Sequence, residues 1–169
     1  MRMKEQEHNT ETRDQLVPLN KRYNLERLRA AHDAFLAGAS EAEIHRAYLV
    51  AAGHTDRDLP YTNIVCLNEH AAVLHYQYQD EQRPVESRSF LIDAGASVNG
   101  YASDITRTWV NTRAAGQEEF AELLAAMERE QLGLVAEVRA LRVQLGITQT
   151  QAAQIFGGGP VAFVGLITN

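Results

Sequence analysis

Residues 90–108, with the sequence FLIDAGASVNGYASDITRT, carry the pattern of a β-hairpin. Three apolar residues run into Asp93, and Asn99-Gly100 is the dipeptide most typical of a tight two-residue turn. Residues 101–109 then form the returning strand. The residue pairs predicted by this turn are Val98 with Tyr101, Gly95 with Asp104, and Asp93 with Thr106.

Asp93 and Asp104 are the two acidic residues of this hairpin. Side chains alternate between the faces of a strand, so the predicted register puts both carboxylates on one face as diagonal neighbours, roughly 7 Å apart. At that separation both could reach a divalent cation placed between them. The alternative is that both are solvated aspartates near a turn, where Asp is common. A one-residue bulge in either strand would put them on opposite faces.

The same residues carry a family resemblance. The segments 93–96 (DAGA) and 99–108 (NGYASDITRT) closely resemble the first metal-ligand segment of the Xaa-Pro dipeptidases, or prolidases, which are metallopeptidases of the pita-bread fold (family M24). The resemblance implies a site for two divalent metal ions, with Mn²⁺ the expected metal. Asp93 would bind one ion, and Asp104 would bridge both.

A second stretch extends the resemblance upstream. Residues 59–65 (LPYTNIV) and 67–76 (LNEHAAVLHY) are similar to the bacterial enzymes, and His75 matches the histidine that lies near the scissile peptide. The pattern alone puts His75 in a strand over residues 71–78, where a histidine hydrogen-bonded in a partly apolar wall is the alternative. The resemblance runs from about Arg27 to about Leu145 and implies that His75 binds substrate.

The periodicity of the remaining chain predicts helices around a sheet. Apolar residues recur at helical spacing from Leu25 to Leu36, and Ser40 with Glu43 has the form of a capping box that opens a second helix. Residues 116–145 have the pattern of a long amphipathic helix. We therefore expect an α+β fold, one half of a pita-bread domain, with a largely antiparallel sheet and flanking helices. The predicted divisions are a flexible leader (1–21), a partial metallopeptidase domain (22–146) and a tail unlike the family (147–169).

The rest of the family's metal site has no counterpart in this sequence. The family uses five protein ligands, of which the last three are a histidine and two glutamates that follow the aspartates. Every histidine precedes Asp93: His8, His32, His45, His54, His70 and His75. With two ligands of five, we expect a truncated or frame-shifted product that is inactive by itself, and we assign no catalytic residue. The alternative is a non-catalytic peptide-binding module, or pseudoenzyme, of the same fold.

Composition excludes several other classes. The chain has 16 Lys and Arg against 22 Asp and Glu, a net charge of −6 with no basic cluster, which argues against nucleic acid as a partner. The lone Cys66 lies in an apolar run and is interpreted as a small buried thiol. There is neither a membrane-spanning run nor a signal-peptide core. We therefore expect a cytoplasmic protein, and the family resemblance implies proline-containing dipeptides as its substrates. A homodimer is one expected outcome of uncovered sheet edges.

Overall fold

The computed structural model describes residues 26–98 and 101–147. The chain divides into two compact units, Met1–Gln117 and Glu118–Asn169, and each is described by itself. The predicted leader (1–21) lies outside the described residues, and so does nearly all of the predicted tail, from residue 148 onward. Asn99 and Gly100, the predicted turn residues, also lie outside them.

The first unit begins with two helices, α1 (residues 26–36) and α2 (Glu41–Ala52). The predicted capping box is present: Ser40 Oγ accepts from the Glu43 amide at 3.2 Å, while Glu43 Oε2 accepts from the Ser40 amide at 2.8 Å. Helix α2 ends at Gly53, whose φ of 62° is the left-handed conformation typical of a helix stop. On this helix Leu49 is buried while Ala51 is exposed.

Three strands form an antiparallel sheet in the order β1 (Ile64–Leu67), β2 (Ser89–Ala94) and β5 (Ile105–Val110). Between β2 and β5, the short strands β3 (Ser97–Val98) and β4 (Tyr101–Ala102) pair with each other. The observed register joins Asp93 to Thr106 and Val98 to Tyr101, as predicted. The hairpin therefore runs without a bulge through its described residues, which keeps Asp93 and Asp104 on one face.

One face of this sheet packs on the two helices. Phe90 and Ile92 on β2 are fully buried, and the Phe90 ring stacks on Phe35 of α1 and on Trp109 of β5, with ring centroids 5.4 and 5.3 Å apart. The opposite face carries the side chains of Asp93 and Thr106. The fold is thus an open antiparallel sheet with flanking helices, as expected for half of a pita-bread domain.

The strand predicted over residues 71–78 is absent. Asn68–Ala72 forms a short 3₁₀ helix, and residues 73–80 have no regular structure. In the described part of the chain no strand pairs with this segment, so its apolar run lacks the backbone partners that a strand requires. Asn68 redirects the chain with a φ of 52°, and its side-chain oxygen accepts from the amides of Arg88 and Ser89.

The described part of the second unit consists chiefly of α3 (Glu118–Gln144), which confirms the predicted long helix. None of its residues is buried within the described structure, and its apolar side chains include exposed Leu123, Leu134 and Leu141. Glu128, Glu130 and Glu137 are exposed as well. In residues 26–98 and 101–147, no helix combines the length and hydropathy needed to cross a membrane.

Candidate metal and substrate site

Asp93 and Asp104 converge on one point of the sheet's open face. Asp93 is the penultimate residue of β2, and Asp104 immediately precedes β5. Their Oδ1 atoms lie 2.9 Å and 2.8 Å from the same oxygen, the hydroxyl of Tyr61. The hairpin register predicted from the sequence therefore brings the two carboxylates together. Their role as metal ligands remains a prediction.

Tyr61 was not predicted as a site residue. It lies in the connection before β1, 32 residues from Asp93 and 43 from Asp104, and no periodicity or spacing indicates the contact. A phenol has one hydroxyl hydrogen, so Tyr61 donates to one carboxylate at a time. Burial, first, and then the hydrogen bond to Asp104 raise the pKa of Tyr61, which therefore stays a neutral donor.

The paired carboxylates repel each other, as expected from their charge. Burial raises the pKa of Asp93, and the charge of Asp104 adds to that effect, while the Tyr61 hydrogen bond opposes it. A cation between the carboxylates would remove this repulsion. Both groups offer oxygen donors, which are the ligands that hard divalent ions such as Mg²⁺ and Mn²⁺ prefer.

Gly95 allows Tyr61 to lie this close to the hairpin. A Cβ atom on Gly95 would come within 2.6 Å of Pro60 Cγ, 2.6 Å of the Ser103 carbonyl oxygen and 2.7 Å of Tyr61 Cε1. The Gly95 carbonyl also accepts a buried hydrogen bond of 2.9 Å from the Tyr48 hydroxyl. Only a glycine fits between the tyrosine ring and the returning chain.

His75 lies at the same pocket as the two aspartates. The pocket has a volume of about 420 Å³ and is lined by Tyr61, Thr62, Ile64, His75, Gln77, Asp93 and Asp104. His75 itself is exposed, with a φ of 52°, and belongs to the irregular segment rather than to the predicted strand. The structure therefore brings all three predicted site residues to one pocket, although it overturns the predicted local structure of His75.

The carboxylates account for only part of a metal site. Within residues 26–98 and 101–147, no group of three or more His, Cys, Asp or Glu side chains is placed to hold a metal ion. The two aspartates fit a divalent cation in donor type and in convergence, and they fill a minority of the coordination positions such an ion takes.

Comparison with known proteins shows which family this chain belongs to. Residues 22–160 match the metallopeptidase family M24, so the chain belongs to that family, whose members use divalent metal ions. Among its relatives, the Xaa-Pro dipeptidase of Cronobacter sakazakii is 57% identical over 112 residues, and that of Klebsiella pneumoniae is 54% identical. Each alignment covers 66% of this chain and 25% of the relative. The chain thus spans about a quarter of the length of the curated relatives it matches.

Solved structures of the aminopeptidase P type are also similar. Zinc-substituted aminopeptidase P of Escherichia coli with product is 28% identical, with a TM-score of 0.43, over 56% of this chain and 21% of its own. Proline aminopeptidase P II of Yersinia pestis is 30% identical with the same TM-score, over 56% of this chain and 22% of its own.

Proposed function

We propose that this chain contributes to the metal-dependent hydrolysis of Xaa-Pro dipeptides. The observation that supports the proposal most directly is the convergence of Asp93 and Asp104 on one oxygen, in a pocket that His75 also lines. Relatives more than half identical to the matched region carry the name Xaa-Pro dipeptidase, which supports the substrate class.

The residues at and beside the pocket that the proposal uses have different roles. Asp93 and Asp104 would hold a divalent metal ion, with Mn²⁺ as the proposed metal, and such an ion supplies Lewis acidity and an activated water. Tyr61 orients the carboxylates through its hydroxyl. His75, on the other wall of the pocket, would contact the substrate near the peptide bond to be cleaved. Gly95 keeps the tyrosine ring close enough for its hydrogen bonds.

Several finer properties of the chain remain predictions under this proposal. The domain boundaries at residues 22 and 146, the homodimer and the cytoplasmic location belong to this group. Cys66 is a buried free thiol, as the sequence predicts, and a reduced environment suits such a residue.

A second candidate is a non-catalytic peptide-binding module that uses the same pocket. One observation favours it: in the described part of the chain, only two potential ligands of a metal site come together. In that case Asp93 and Asp104 would offer acceptors to the amino terminus or amide groups of a peptide, and no turnover would follow.

Metal binding tests the proposal. We would titrate the full chain with Mn²⁺ by calorimetry, beside Asp104→Ala and a control, Asp33→Ala, which removes an exposed carboxylate on α1. Loss of a hydrogen-bonding partner of a metal ligand commonly lowers affinity by about 10- to 100-fold, so loss of Asp104 itself should lower it by at least about tenfold. Asp33→Ala should leave it unchanged.

Hydrolysis of a Gly-Pro dipeptide separates the two candidate functions. Mn²⁺ binding that depends on Asp104, together with turnover, would support the dipeptidase. Dipeptide binding without turnover would support the binding module. If Mn²⁺ affinity is the same in the wild type and in Asp104→Ala, the assignment of Asp93 and Asp104 as ligands is wrong.

A further inference from the structure

Glu41, the first residue of α2, is a buried carboxylate with only 1% of its surface exposed. A buried charge is costly unless hydrogen bonds satisfy it. Its Oε1 atom accepts from the Leu67 amide at 2.8 Å and lies 2.8 Å from His70 Nδ1, while Oε2 accepts from the Asp80 amide at 2.9 Å. Charge-assisted bonds of this kind are among the stronger ones in proteins.

All three partners belong to one stretch of chain, residues 67–80, here called the 67–80 segment. Leu67 and Asp80 are its two ends, and His70 lies between them. The Tyr76 ring also stacks on His70, with centroids 4.6 Å apart. One side chain therefore gathers both ends and the middle of the segment.

The two walls of the candidate site are held in different ways. Asp93 and Asp104 are placed by backbone pairing between β2 and β5. His75 and Gln77 belong to the 67–80 segment, of which only Leu67 lies in a strand. Residues 68–80 pair with no strand among the described residues, so their position depends on bonds such as those of Glu41 and the backbone bond from the Ala42 amide to the Asp80 carbonyl.

From this arrangement we infer that Glu41 is a positioning residue, which holds the 67–80 segment so that His75 faces the aspartate pair. The inference rests on the proposed function for the role of His75. Glu41 touches neither His75 nor the aspartates in any contact described above, so it would act through the segment. Its effect should consequently fall on the histidine wall of the pocket and spare the metal wall.

The variant Glu41→Gln tests the inference with almost no change in shape. It replaces one carboxylate oxygen by an NH₂ group, which would face an N–H donor, so at least one of the three bonds is lost. Amide hydrogen exchange measured by mass spectrometry should rise about tenfold in peptides of the 67–80 segment, in keeping with the loss of a hydrogen bond to a charged group. Exchange in β2 and β5 should stay unchanged. Glu69→Gln, an exposed carboxylate in the same segment, is the matched control.

A second readout follows His75 itself. Bound Mn²⁺ broadens the resonances of nearby protons, so the His75 ring signal, identified by its absence in His75→Asn, reports its distance from the metal. At equal Mn²⁺ occupancy, Glu41→Gln should show less broadening of His75 than the wild type, with Mn²⁺ affinity unchanged. A role limited to general stability would leave the broadening of the folded protein unaltered.

The outcomes separate this inference from the proposed function. Unchanged exchange in the 67–80 segment, or equal broadening of His75, would overturn the role of Glu41. If no protein binds Mn²⁺, the metal proposal fails, while hydrogen exchange still decides whether Glu41 holds the segment. If Glu41→Gln does not fold, His70→Gln replaces it: that variant keeps Glu41 and should raise exchange around residues 68–76 alone, and no rise there would overturn the inference.

Discussion

Of the segments predicted as strands, residues 89–94 and residues 71–78 have opposite outcomes. Residues 89–94 become β2, which lies between β1 and β5 and is hydrogen-bonded on both edges. Residues 71–78 form part of a 3₁₀ helix and an irregular stretch. Burial follows the same division, since Phe90 and Ile92 are fully buried while Leu74 is 92% exposed and Tyr78 86% exposed.

The difference teaches that a strand requires partners as well as propensity. Backbone N–H and C=O groups must be paired when they leave water, and β2 finds partners in two neighbouring strands. Along the 67–80 segment, bonds of other kinds replace such a ladder beyond Leu67: the Glu41 carboxylate accepts from the amides of Leu67 and Asp80, and the Val73 amide donates to the His70 carbonyl. One wall of the candidate site is thus held by a strand ladder, and the other by polar side chains together with isolated backbone bonds.

The largest expected effect on the free energy of unfolding comes from replacing one large apolar side chain in each of the two runs by alanine. Phe90→Ala should lower the free energy of unfolding by about 3–5 kcal/mol, because it empties a site packed between Phe35 and Trp109. Leu74→Ala should change it by less than about 0.5 kcal/mol, as for other exposed positions. Urea denaturation measures both. If Phe90→Ala does not fold, Ile92→Val should still cost about 0.5–1.5 kcal/mol. Equal losses of unfolding free energy in Phe90→Ala and Leu74→Ala would contradict the contrast between the two runs.

An intermediate effect is expected where the chain leaves β2. Gly95→Ala should destabilise the fold by about 1–3 kcal/mol, because the added methyl group meets Pro60, Tyr61 and the Ser103 carbonyl. Gly133→Ala is the control: it lies within α3, its Cβ would meet nothing within 4 Å, and alanine should stabilise the helix by about 0.5–1 kcal/mol. In thermal denaturation, a lower midpoint for Gly95→Ala and a higher midpoint for Gly133→Ala would support this interpretation. An unchanged midpoint for Gly95→Ala would contradict it.

The smallest expected effect is on how stability depends on pH, and it comes from the ion pair between Arg83, just after the 67–80 segment, and Glu43 of α2. Arg83 makes two hydrogen bonds of 2.7 and 2.8 Å to Glu43, and this partner, followed by the Ser40 amide, lowers the pKa of Glu43 from 4.5 to about 2. A carboxyl whose pKa is lower in the folded state stabilises the protein above its unfolded pKa and loses that contribution as the pH falls through the folded value.

The stability of the wild type over Glu43→Gln should therefore be fully present above about pH 4.5 and disappear between pH 4.5 and 2. Urea midpoints measured across this range, with Glu69→Gln as the control, test the expectation. A difference that does not vary with pH would show that the charge of Glu43 contributes nothing.

Features that depend on neighbours in the sequence were predicted correctly. The capping box joins Ser40 to Glu43, three residues apart, and the hairpin register follows from the two residues between Val98 and Tyr101. Both are short-range, so the residue types alone favour one geometry. The resemblance to the M24 family, confirmed by the match over residues 22–160, rests on the same hairpin.

Features that join distant segments could not be predicted in this way. Tyr61 reaches the aspartates across 32 and 43 residues, and Glu41 bonds to His70 and Asp80 across 29 and 39. Neither residue has a local pattern that indicates its partner, and Glu41 reads as an ordinary acidic residue in the first turn of a helix. The wrong prediction of a strand over residues 71–78 has the same cause. The sequence pattern of a segment does not reveal whether another strand is available to pair with it.

By itself, the sequence determined the capped start of α2, the hairpin register and the shared face of Asp93 and Asp104, since each depends on the capping, periodicity or turn chemistry of a short stretch. Tertiary structure alone decided that Tyr61 lies between the carboxylates, that Glu41 is buried at the 67–80 segment, and that His75 reaches the pocket from an irregular loop. The physical reason is that long-range hydrogen bonds form only after packing of the sheet and helices has brought distant segments together and removed them from water.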